Sequence, residues 1–240
     1  NKKKVFPCPK FVSNLGETRM GKSVGALVGA RLGRALLELG GNNAIIITEH
    51  ADQDMALRAV LFGAVGTAGQ RCTSTRRLII QENVYDAFKA KLLKAYAQVT
   101  IGNPLDASNL VGPLIDKAAV ESFTHAIAAV KAEGGSVIFG GEVLSGANYE
   151  SGCYVKPCII EAKNSFEMVQ HETFAPILYL MKYKTIEEAI ALQNGVPPGL
   201  SSSIMTNNLR EAELFLSQVG SDCGIANVNI GTSGAEIGGA

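Results

Sequence analysis

The chain has 240 residues, of which 47% are hydrophobic and 18% charged, with 22 basic and 22 acidic side chains. This composition is that of a folded globular protein, and the balanced charge excludes an electrostatic footprint for nucleic acid or for an anionic membrane. The apolar runs, such as residues 44–47, are far shorter than the roughly 20 residues that a transmembrane helix needs.

Five cysteines and three histidines are scattered along the chain, without the spacing of a disulfide framework or of a metal site. We therefore expect free thiols in a reducing compartment, the cytoplasm with mitochondria as the alternative, and no bound metal. The chain begins with Asn1 rather than Met and has no apolar signal segment, so we expect the natural N-terminus to lie upstream.

The first predicted element is a helix over residues 18–36, after an irregular start. Glycines recur in it at every fourth position, from Gly21 to Gly33. Because each glycine in a helix interior costs about 1 kcal/mol relative to alanine, this repeat predicts close packing against a neighbouring element.

Apolar and amphipathic segments alternate along the rest of the chain. Strands are predicted at 44–48, 77–81, 136–139, 154–161, 177–183, 200–206 and 224–229, and helices at 52–69, 84–99, 117–133, 186–194 and 209–219. Asp52 or Asp54 is expected near the N-cap of the helix 52–69. The alternation predicts an α/β fold, a mostly parallel sheet flanked by helices.

The strongest candidate for chemistry is the loop between the helix 52–69 and the strand 77–81. It carries Cys72 in the sequence Gly-Gln-Arg-Cys-Thr-Ser. A nucleophilic thiol must be partly ionised, which needs positive charge or backbone N–H groups nearby, and Arg71, Arg76 and Arg77 supply local charge. Taken alone, the loop leaves two readings open, a reactive thiol or a small buried residue, and it favours the second.

Two further segments place an acidic side chain beside a loop. Glu38 is flanked by leucines and followed by two glycines, so desolvation would raise its pKa and suit it to act as a general base. The alternative is a surface residue at a helix end. Glu172 lies two positions before Phe174 and four before Pro176, which in isolation indicates an anchored turn ahead of a strand.

The three segments occur in a fixed order: Glu-Leu-Gly-Gly, then Gly-Gln-Arg-Cys with 34 positions from Glu38 to Cys72, then Glu-x-Phe-x-Pro. This ordered set resembles the motifs of the aldehyde dehydrogenase superfamily. With the segments 220–225 and 232–240, it is most similar to the antiquitin branch, the α-aminoadipic semialdehyde dehydrogenases. The resemblance covers about residues 18 to 240.

The resemblance implies an oxidoreductase that converts an aldehyde, α-aminoadipic semialdehyde or its cyclic form piperideine-6-carboxylate, to the acid with NAD. In that family the thiolate matching Cys72 attacks the aldehyde carbon. The backbone N–H of the same cysteine and the side chain of an Asn upstream hold the oxyanion. The carboxylate matching Glu38 activates the water that hydrolyses the thioester. Glu172 matches the residue that binds the nicotinamide ribose, Phe174 the ring beside it, and Gly40 a further cofactor contact.

The same resemblance implies the substrate site and its partners. Thr73, Gly234 and Ala235 match positions at which related enzymes hold the remote carboxylate of a semialdehyde, and N–H groups of a glycine-rich loop suit such an anion. The implied partner is a small-molecule aldehyde, with no nucleic acid and no membrane, in a homotetrameric parent enzyme.

The resemblance also implies a domain organisation. Residues 1–40 would be a divergent start and the tail of the Rossmann-like NAD-binding domain, 41–232 the catalytic domain, and 233–240 a truncated substrate-anchor loop. Most of the NAD-binding domain, with the oxyanion Asn, and the C-terminal oligomerisation strand are expected outside this chain, and residues 1–15 match no part of the family pattern. Two alternatives stay open: an inactive fragment that acts only by associating with intact subunits, and an NAD-independent esterase that uses Cys72 with Glu38.

Overall fold

The computed structural model of the chain describes residues 11–197 and 199–234. It divides into two compact units, the first ending at Gly40 and the second beginning at Gly41. Within the described residues, no helix is long and apolar enough to cross a bilayer.

The first unit is a strand–helix–strand unit. It consists of β1 (Phe11–Leu15), α1 (Thr18–Gly29) and β2 (Arg34–Glu38). The two strands pair in parallel, with Phe11 beside Arg34 and Leu15 beside Glu38. Neither strand was predicted.

The predicted helix 18–36 is wrong beyond Gly29. The chain reverses there, because Leu32 adopts a left-handed φ of 56° and Gly33 donates its N–H to Val28 O at 3.0 Å, which closes the helix end. Arg34 onward then pairs with β1, and this pairing overrides the helix propensity of the alanine and leucines that follow.

Close packing is confirmed at the first of the repeated glycines. A Cβ on Gly21 would collide with the side chain of Leu39, so the absence of a side chain lets α1 lie against the segment that follows β2. At Gly29, by contrast, an added Cβ would meet nothing within 4 Å.

The second unit is built on one large sheet. Its helices and strands follow in the order β3 (Ala44–Ile47), α2 (Gln53–Val65), β4 (Arg77–Gln81), α3 (Glu82–Ala97), α4 (Lys117–Ala132), β5 (Ser136–Phe139), β6 (Cys158–Glu161), β7 (Ile177–Tyr183), α5 (Ile186–Asn194), β8 (Ser201–Met205), α6 (Leu209–Leu216) and β9 (Ile225–Val228). The strand order is β5-β6-β7-β4-β3-β8-β9, and every neighbouring pair is parallel except β5 with β6. The predicted α/β fold with a mostly parallel sheet is confirmed.

Strands β3 and β8 are buried along their whole length, and β4 is buried in all but its last residue. Every residue of β3 is fully buried, rather than every second one, so both faces of the sheet are covered. Helix α3 packs against β4 and β7, and α5 packs against β3, β4 and β7. This accounts for the uninterrupted apolar runs from which the strands were predicted.

Helix α2 begins as predicted and ends early. The Asp52 side chain caps it by accepting from the N–H groups of Asp54 and Met55, each at 3.0 Å. The predicted helix 52–69 stops at Val65, and Gly66–Gly69 form a left-handed turn instead.

The parallel strands begin level with one another. Ala44 of β3 lies beside Arg77 of β4 and Ser202 of β8, and Arg77 lies beside Tyr179 of β7. The segments that lead into these strands therefore meet at one edge of the sheet, and the loop with Cys72 is one of them.

Candidate active site

Cys72 is exposed, while the backbone around it is fixed from both sides. The carbonyl of Arg71 accepts a hydrogen bond from Nη2 of Arg76 at 3.1 Å, and the carbonyl of Cys72 accepts one from Nδ2 of Asn43 at 2.8 Å. Both peptide units that flank the Cys72 Cα are thus held in place, and its thiol remains accessible to a reagent from solution.

Asn43 is the buried residue that joins this loop to two strands. Its Nδ2 also donates to Ser74 O at 2.9 Å, and its Oδ1 accepts from the N–H of Ser201 at 3.0 Å. Asn43 lies just before β3 and Ser201 begins β8, so one amide connects two neighbouring strand ends with the Cys72 loop. The motif suggests no such role, because the Asn follows the glycines that drew attention to Glu38.

The left-handed turn before Cys72 is strained and tightly packed. Thr67, Ala68 and Gly69 have φ values of 51°, 52° and 67° in succession. For a residue with a side chain this conformation costs roughly 1–2 kcal/mol. A Cβ on Gly69 would lie 2.5 Å from Ala175 O and 2.7 Å from Pro176 N. The turn therefore brings the Cys72 loop directly onto the segment that leads into β7.

Arg76 connects the Cys72 loop with the segment that carries Glu172. Nη1 donates to Gly69 O at 3.1 Å and to Thr173 O at 2.7 Å, and Nη2 donates to Glu172 Oε1 at 3.2 Å. The Arg76 side chain is 2% exposed. Its burial lowers the pKa of the guanidinium, and the carboxylate of Glu172 acts in the opposite direction.

Phe174 lies on the same guanidinium. The Cζ atom of Arg76 is 5.2 Å from the centre of the Phe174 ring, and Phe174 is 46% exposed. The structure thus brings together Cys72, Glu172 and Phe174 around Arg76. From the sequence alone, Arg76 is only one of three local positive charges.

The other two arginines point away from this cluster. Arg77 donates to the carbonyls of Asn42, Leu192 and Gln193 at 2.8, 2.6 and 2.9 Å, and thus fixes the end of α5. Burial lowers the pKa of Arg77 to about 10. The Arg71 guanidinium lies 4.9 Å from the ring centre of Phe62.

Thr73 is in contact with the glycine-rich loop 231–234. Its Oγ1 is 3.3 Å from Ser233 Oγ, and its carbonyl accepts from Thr232 Oγ1 at 2.8 Å. The N–H of Gly234 donates to Gly231 O at 3.1 Å, so this N–H is already engaged within the loop. Ala235 lies outside the described residues.

The buried serines of β8 explain why this loop returns to the edge where Cys72 lies. After β9 the chain turns at Asn229, which has a φ of 58°, and runs back along β8. Ser203 Oγ donates to Ile230 O, and Ser201 Oγ donates to Thr232 O at 2.6 Å. Because alternate residues of a strand share a face, these two serines hold the returning segment together.

Glu38 and Gly40 belong to the first unit. Glu38 is the last residue of β2 and is exposed, so within the described residues it is a surface residue, as the alternative expected, at a strand end rather than at a helix end. Cys72, Thr73, Glu172, Phe174 and Gly234 belong to the second unit. The described residues contain no cluster of three or more His, Cys, Asp or Glu side chains that would hold a metal ion.

Comparison with known proteins gives one consistent family. The model of the aldehyde dehydrogenase family matches residues 7–239. The chain is 50% identical over 231 residues to α-aminoadipic semialdehyde dehydrogenase from Bos taurus, an alignment that covers 96% of this chain and 42% of that protein. The chain thus spans less than half the length of the curated relatives it matches.

Solved structures agree with the sequence relatives. An NAD-dependent aldehyde dehydrogenase from Sinorhizobium meliloti superposes with a TM-score of 0.88 at 30% identity, covering 94% of this chain and 44% of that one. Betaine aldehyde dehydrogenase from Staphylococcus aureus, solved in complex with NAD+, gives a TM-score of 0.87 at 27% identity, covering 92% of this chain and 44% of that one. The predicted resemblance to the superfamily and to its antiquitin branch is confirmed.

Proposed function

Because this chain belongs to the NAD-dependent aldehyde dehydrogenase family, we propose that Cys72 is the nucleophile of a site that oxidises an aldehyde to a carboxylic acid. The proposed substrate is α-aminoadipic semialdehyde, and the proposed cofactor is NAD. Since the chain spans less than half of its relatives, the activity is proposed for this chain as part of a protein of its relatives' full length.

The observation that carries the proposal is the combination of an exposed thiol with a fixed backbone. In the first step the Cys72 thiolate adds to the aldehyde carbon, the carbonyl π electrons move to oxygen, and a thiohemiacetal forms. The Cys72 N–H is the donor in this chain that would hold the new oxyanion. A backbone donor fixed in advance is worth roughly 10²–10³-fold in rate at such a position.

The residues near Cys72 fit one end of a dinucleotide. Glu172 is a largely buried carboxylate whose side chain is 13% exposed, and the neighbouring Phe174 ring is about half exposed. A carboxylate accepts hydrogen bonds from ribose hydroxyls, and an open aromatic ring suits a planar base. When bound, NAD supplies the acceptor for the hydride. Glu172 and Phe174 would hold its nicotinamide ribose, and Gly40 is proposed as a further contact.

Release of the product requires a water molecule and a base. The proposed base is Glu38, which takes a proton from the water that attacks the thioester carbon and thereby expels the Cys72 thiolate. General-base assistance contributes roughly 10²–10⁴-fold. The loss of this carboxylate would therefore slow deacylation and leave acylation unchanged.

Thr73 and the loop 231–234 are proposed to hold the carboxylate end of the semialdehyde. The contact between Thr73 Oγ1 and Ser233 Oγ supports this proposal, since it places two hydroxyl groups next to the nucleophile. The Gly234 N–H donates inside the loop and the Ser233 hydroxyl donates to Thr73 O at 3.3 Å, so a bound carboxylate would replace such hydrogen bonds, and Ala235 is proposed to complete the anchor.

NADH formation tests the main proposal. The chain, joined to the lengths present in its relatives, is mixed with NAD and α-aminoadipic semialdehyde, and the NADH absorbance is followed. We expect a steady rise that Cys72→Ala abolishes and that the matched variant Cys153→Ala leaves unchanged. An equal rise in the Cys72→Ala protein would refute the assignment of the nucleophile.

A second candidate function is NAD-independent esterase activity. It is favoured by one observation: the exposed thiol and the hydrogen bonds that fix its backbone lie together within the second unit. The 240-residue chain should release p-nitrophenol from p-nitrophenyl acetate faster than its Cys72→Ala variant. Equal rates for the two proteins would exclude this activity.

A further inference from the structure

Arg76 is expensive to bury, and its burial needs an explanation. The guanidinium is 2% exposed, its Nε has no hydrogen-bond partner among the described residues, and desolvation lowers its pKa. Glu172 is the acidic group that faces it, at 3.2 Å. A buried charge that is incompletely satisfied adds little to stability, and such costs are typical of functional sites.

The hydrogen bond from Arg76 to Arg71 O acts on the peptide unit that contains the Cys72 N–H. A peptide unit is planar and trans, so the carbonyl oxygen of Arg71 and the amide hydrogen of Cys72 point in opposite directions. A donor that fixes the Arg71 carbonyl oxygen therefore also fixes the direction of the Cys72 N–H. A cation at the carbonyl also polarises the unit and strengthens its N–H as a donor.

We propose that Arg76 is the positioning residue of this site, which orients the Cys72 N–H toward the oxyanion and holds the Glu172 carboxylate in the same frame. This inference rests on the proposed function, because it takes Cys72 as the nucleophile. In this role Arg76 acts through the Arg71–Cys72 peptide unit and through Glu172, rather than by contact with substrate or cofactor.

The planar shape of arginine is essential to this role. The guanidinium donates at once to Gly69 O, Arg71 O, Thr173 O and Glu172 Oε1 through two terminal nitrogens. A lysine keeps the charge but presents one compact ammonium group, which cannot reach four acceptors in this arrangement. The Arg76→Lys substitution should therefore preserve the positive charge and lose the fixed orientation of the Cys72 N–H.

Two reactions of the Cys72 thiol distinguish the orientation of the Cys72 N–H from the reactivity of the thiolate. Alkylation by iodoacetamide displaces iodide with the thiolate and forms no oxyanion, whereas acylation by p-nitrophenyl acetate passes through one. The ratio of the acylation rate to the alkylation rate of Cys72 therefore measures the oxyanion donor and cancels changes in the thiolate population. Mass spectrometry of Cys72 peptides gives both rates in the 240-residue chain.

We expect Arg76→Lys to lower this ratio by roughly tenfold or more. This is less than the loss of an oxyanion donor would cause, because the Cys72 N–H is still present and only its orientation is lost. Arg77→Lys, the same change at the neighbouring buried arginine, should leave the ratio within about twofold, since Arg77 contacts neither Arg71 nor Glu172. Arg76→Gln serves as a second variant if the lysine protein does not fold, and circular dichroism checks the fold of each.

An unchanged ratio in a folded Arg76 variant overturns the inference. Failure of the proposed function is a different result: the wild-type chain would then acylate no faster at Cys72 than at Cys153 or Cys223, whatever stands at position 76.

Discussion

Cys72 and Cys158 occupy opposite environments within the second unit. Cys72 is exposed, and Cys158 is fully buried at the start of β6, where burial raises the pKa of its thiol to about 12. A thiol with a raised pKa stays protonated at every pH well below that value, and the thiolate is the reactive species.

Limited alkylation at neutral pH should therefore modify Cys72 first and leave Cys158 unmodified in the folded chain. Raising the pH by a unit or two will not change this, because the pKa of Cys158 lies far above the range. Peptide mass spectrometry measures the order, and modification of Cys158 before Cys72 would contradict the described environments.

Gly69 combines a left-handed conformation with a close approach to another backbone. Gly69→Ala should destabilise the chain by about 3 kcal/mol or more, since the new Cβ meets both the unfavourable φ and the Ala175–Pro176 peptide. Gly134→Ala is the matched control, because Gly134 also has a positive φ, 98°, but open space around it. Its cost should be about 1–2 kcal/mol.

Urea denaturation of both variants gives the two free energies of unfolding. If Gly69→Ala is no more destabilising than Gly134→Ala, this result would contradict the close packing of the turn on the segment before β7.

At the scale of elements, strand β8 and the segment that returns along it position the loop 231–234. Ser201 and Ser203 hold the returning segment, and Thr232 Oγ1 is 2.8 Å from Thr75 Oγ1. All four side chains are buried or nearly so, and a hydroxyl without a partner in such a place costs about 1–3 kcal/mol. The buried serines of β8 are thus explained by their hydrogen bonds to the segment that leads into the loop 231–234.

Thr75→Val keeps the shape of the side chain and removes the hydroxyl that faces Thr232. We expect a loss of about 1 kcal/mol, since Thr232 Oγ1 can still donate to Thr73 O. We also expect faster amide hydrogen exchange in residues 231–234. Thr124→Val is the control, because Thr124 is exposed and bonds only within α4. Equal exchange in the two variants would argue against the contact.

Several elements were predictable because local pattern and burial agree. The apolar runs of β4, β5 and β7 and the amphipathic pattern of α5 gave bounds that match the structure to the residue. Strand β2 was not predictable, since its alanine and leucines favour a helix and only the pairing with β1 makes them a strand. The left-handed turn after α2 also depends on a distant contact, that of Gly69 with Ala175.

The candidate site likewise has features that could be predicted from the sequence and features that could not. The order of three short motifs predicted which residues to examine, and the structure brings Cys72, Glu172 and Phe174 together. The directions of Arg71, Arg76 and Arg77 could not be predicted, because three arginines within seven positions look equivalent in sequence. Only the fold decides which of them faces the Cys72 loop.

At the scale of the whole molecule, the hydrophobic core belongs to the second unit. The continuous core cluster begins at Ala44 and ends at Phe215. A chain of residues 41–240 should therefore fold by itself, with a thermal midpoint within about 5 °C of that of the 240-residue chain. Circular dichroism measures this midpoint, and an unfolded 41–240 chain would contradict the described division.

The proposed function depends above all on Cys72 as the nucleophile, and one measurement tests this assignment directly. The 240-residue chain is treated briefly with p-nitrophenyl acetate, quenched in acid and digested, and the acetylated peptides are identified by mass spectrometry. The assignment of Cys72 as the nucleophile predicts a single acetyl group, on the peptide with Cys72, that disappears in Cys72→Ala. An acetyl group on Cys153 or Cys223 in its place, with Cys72 unmodified, would contradict it.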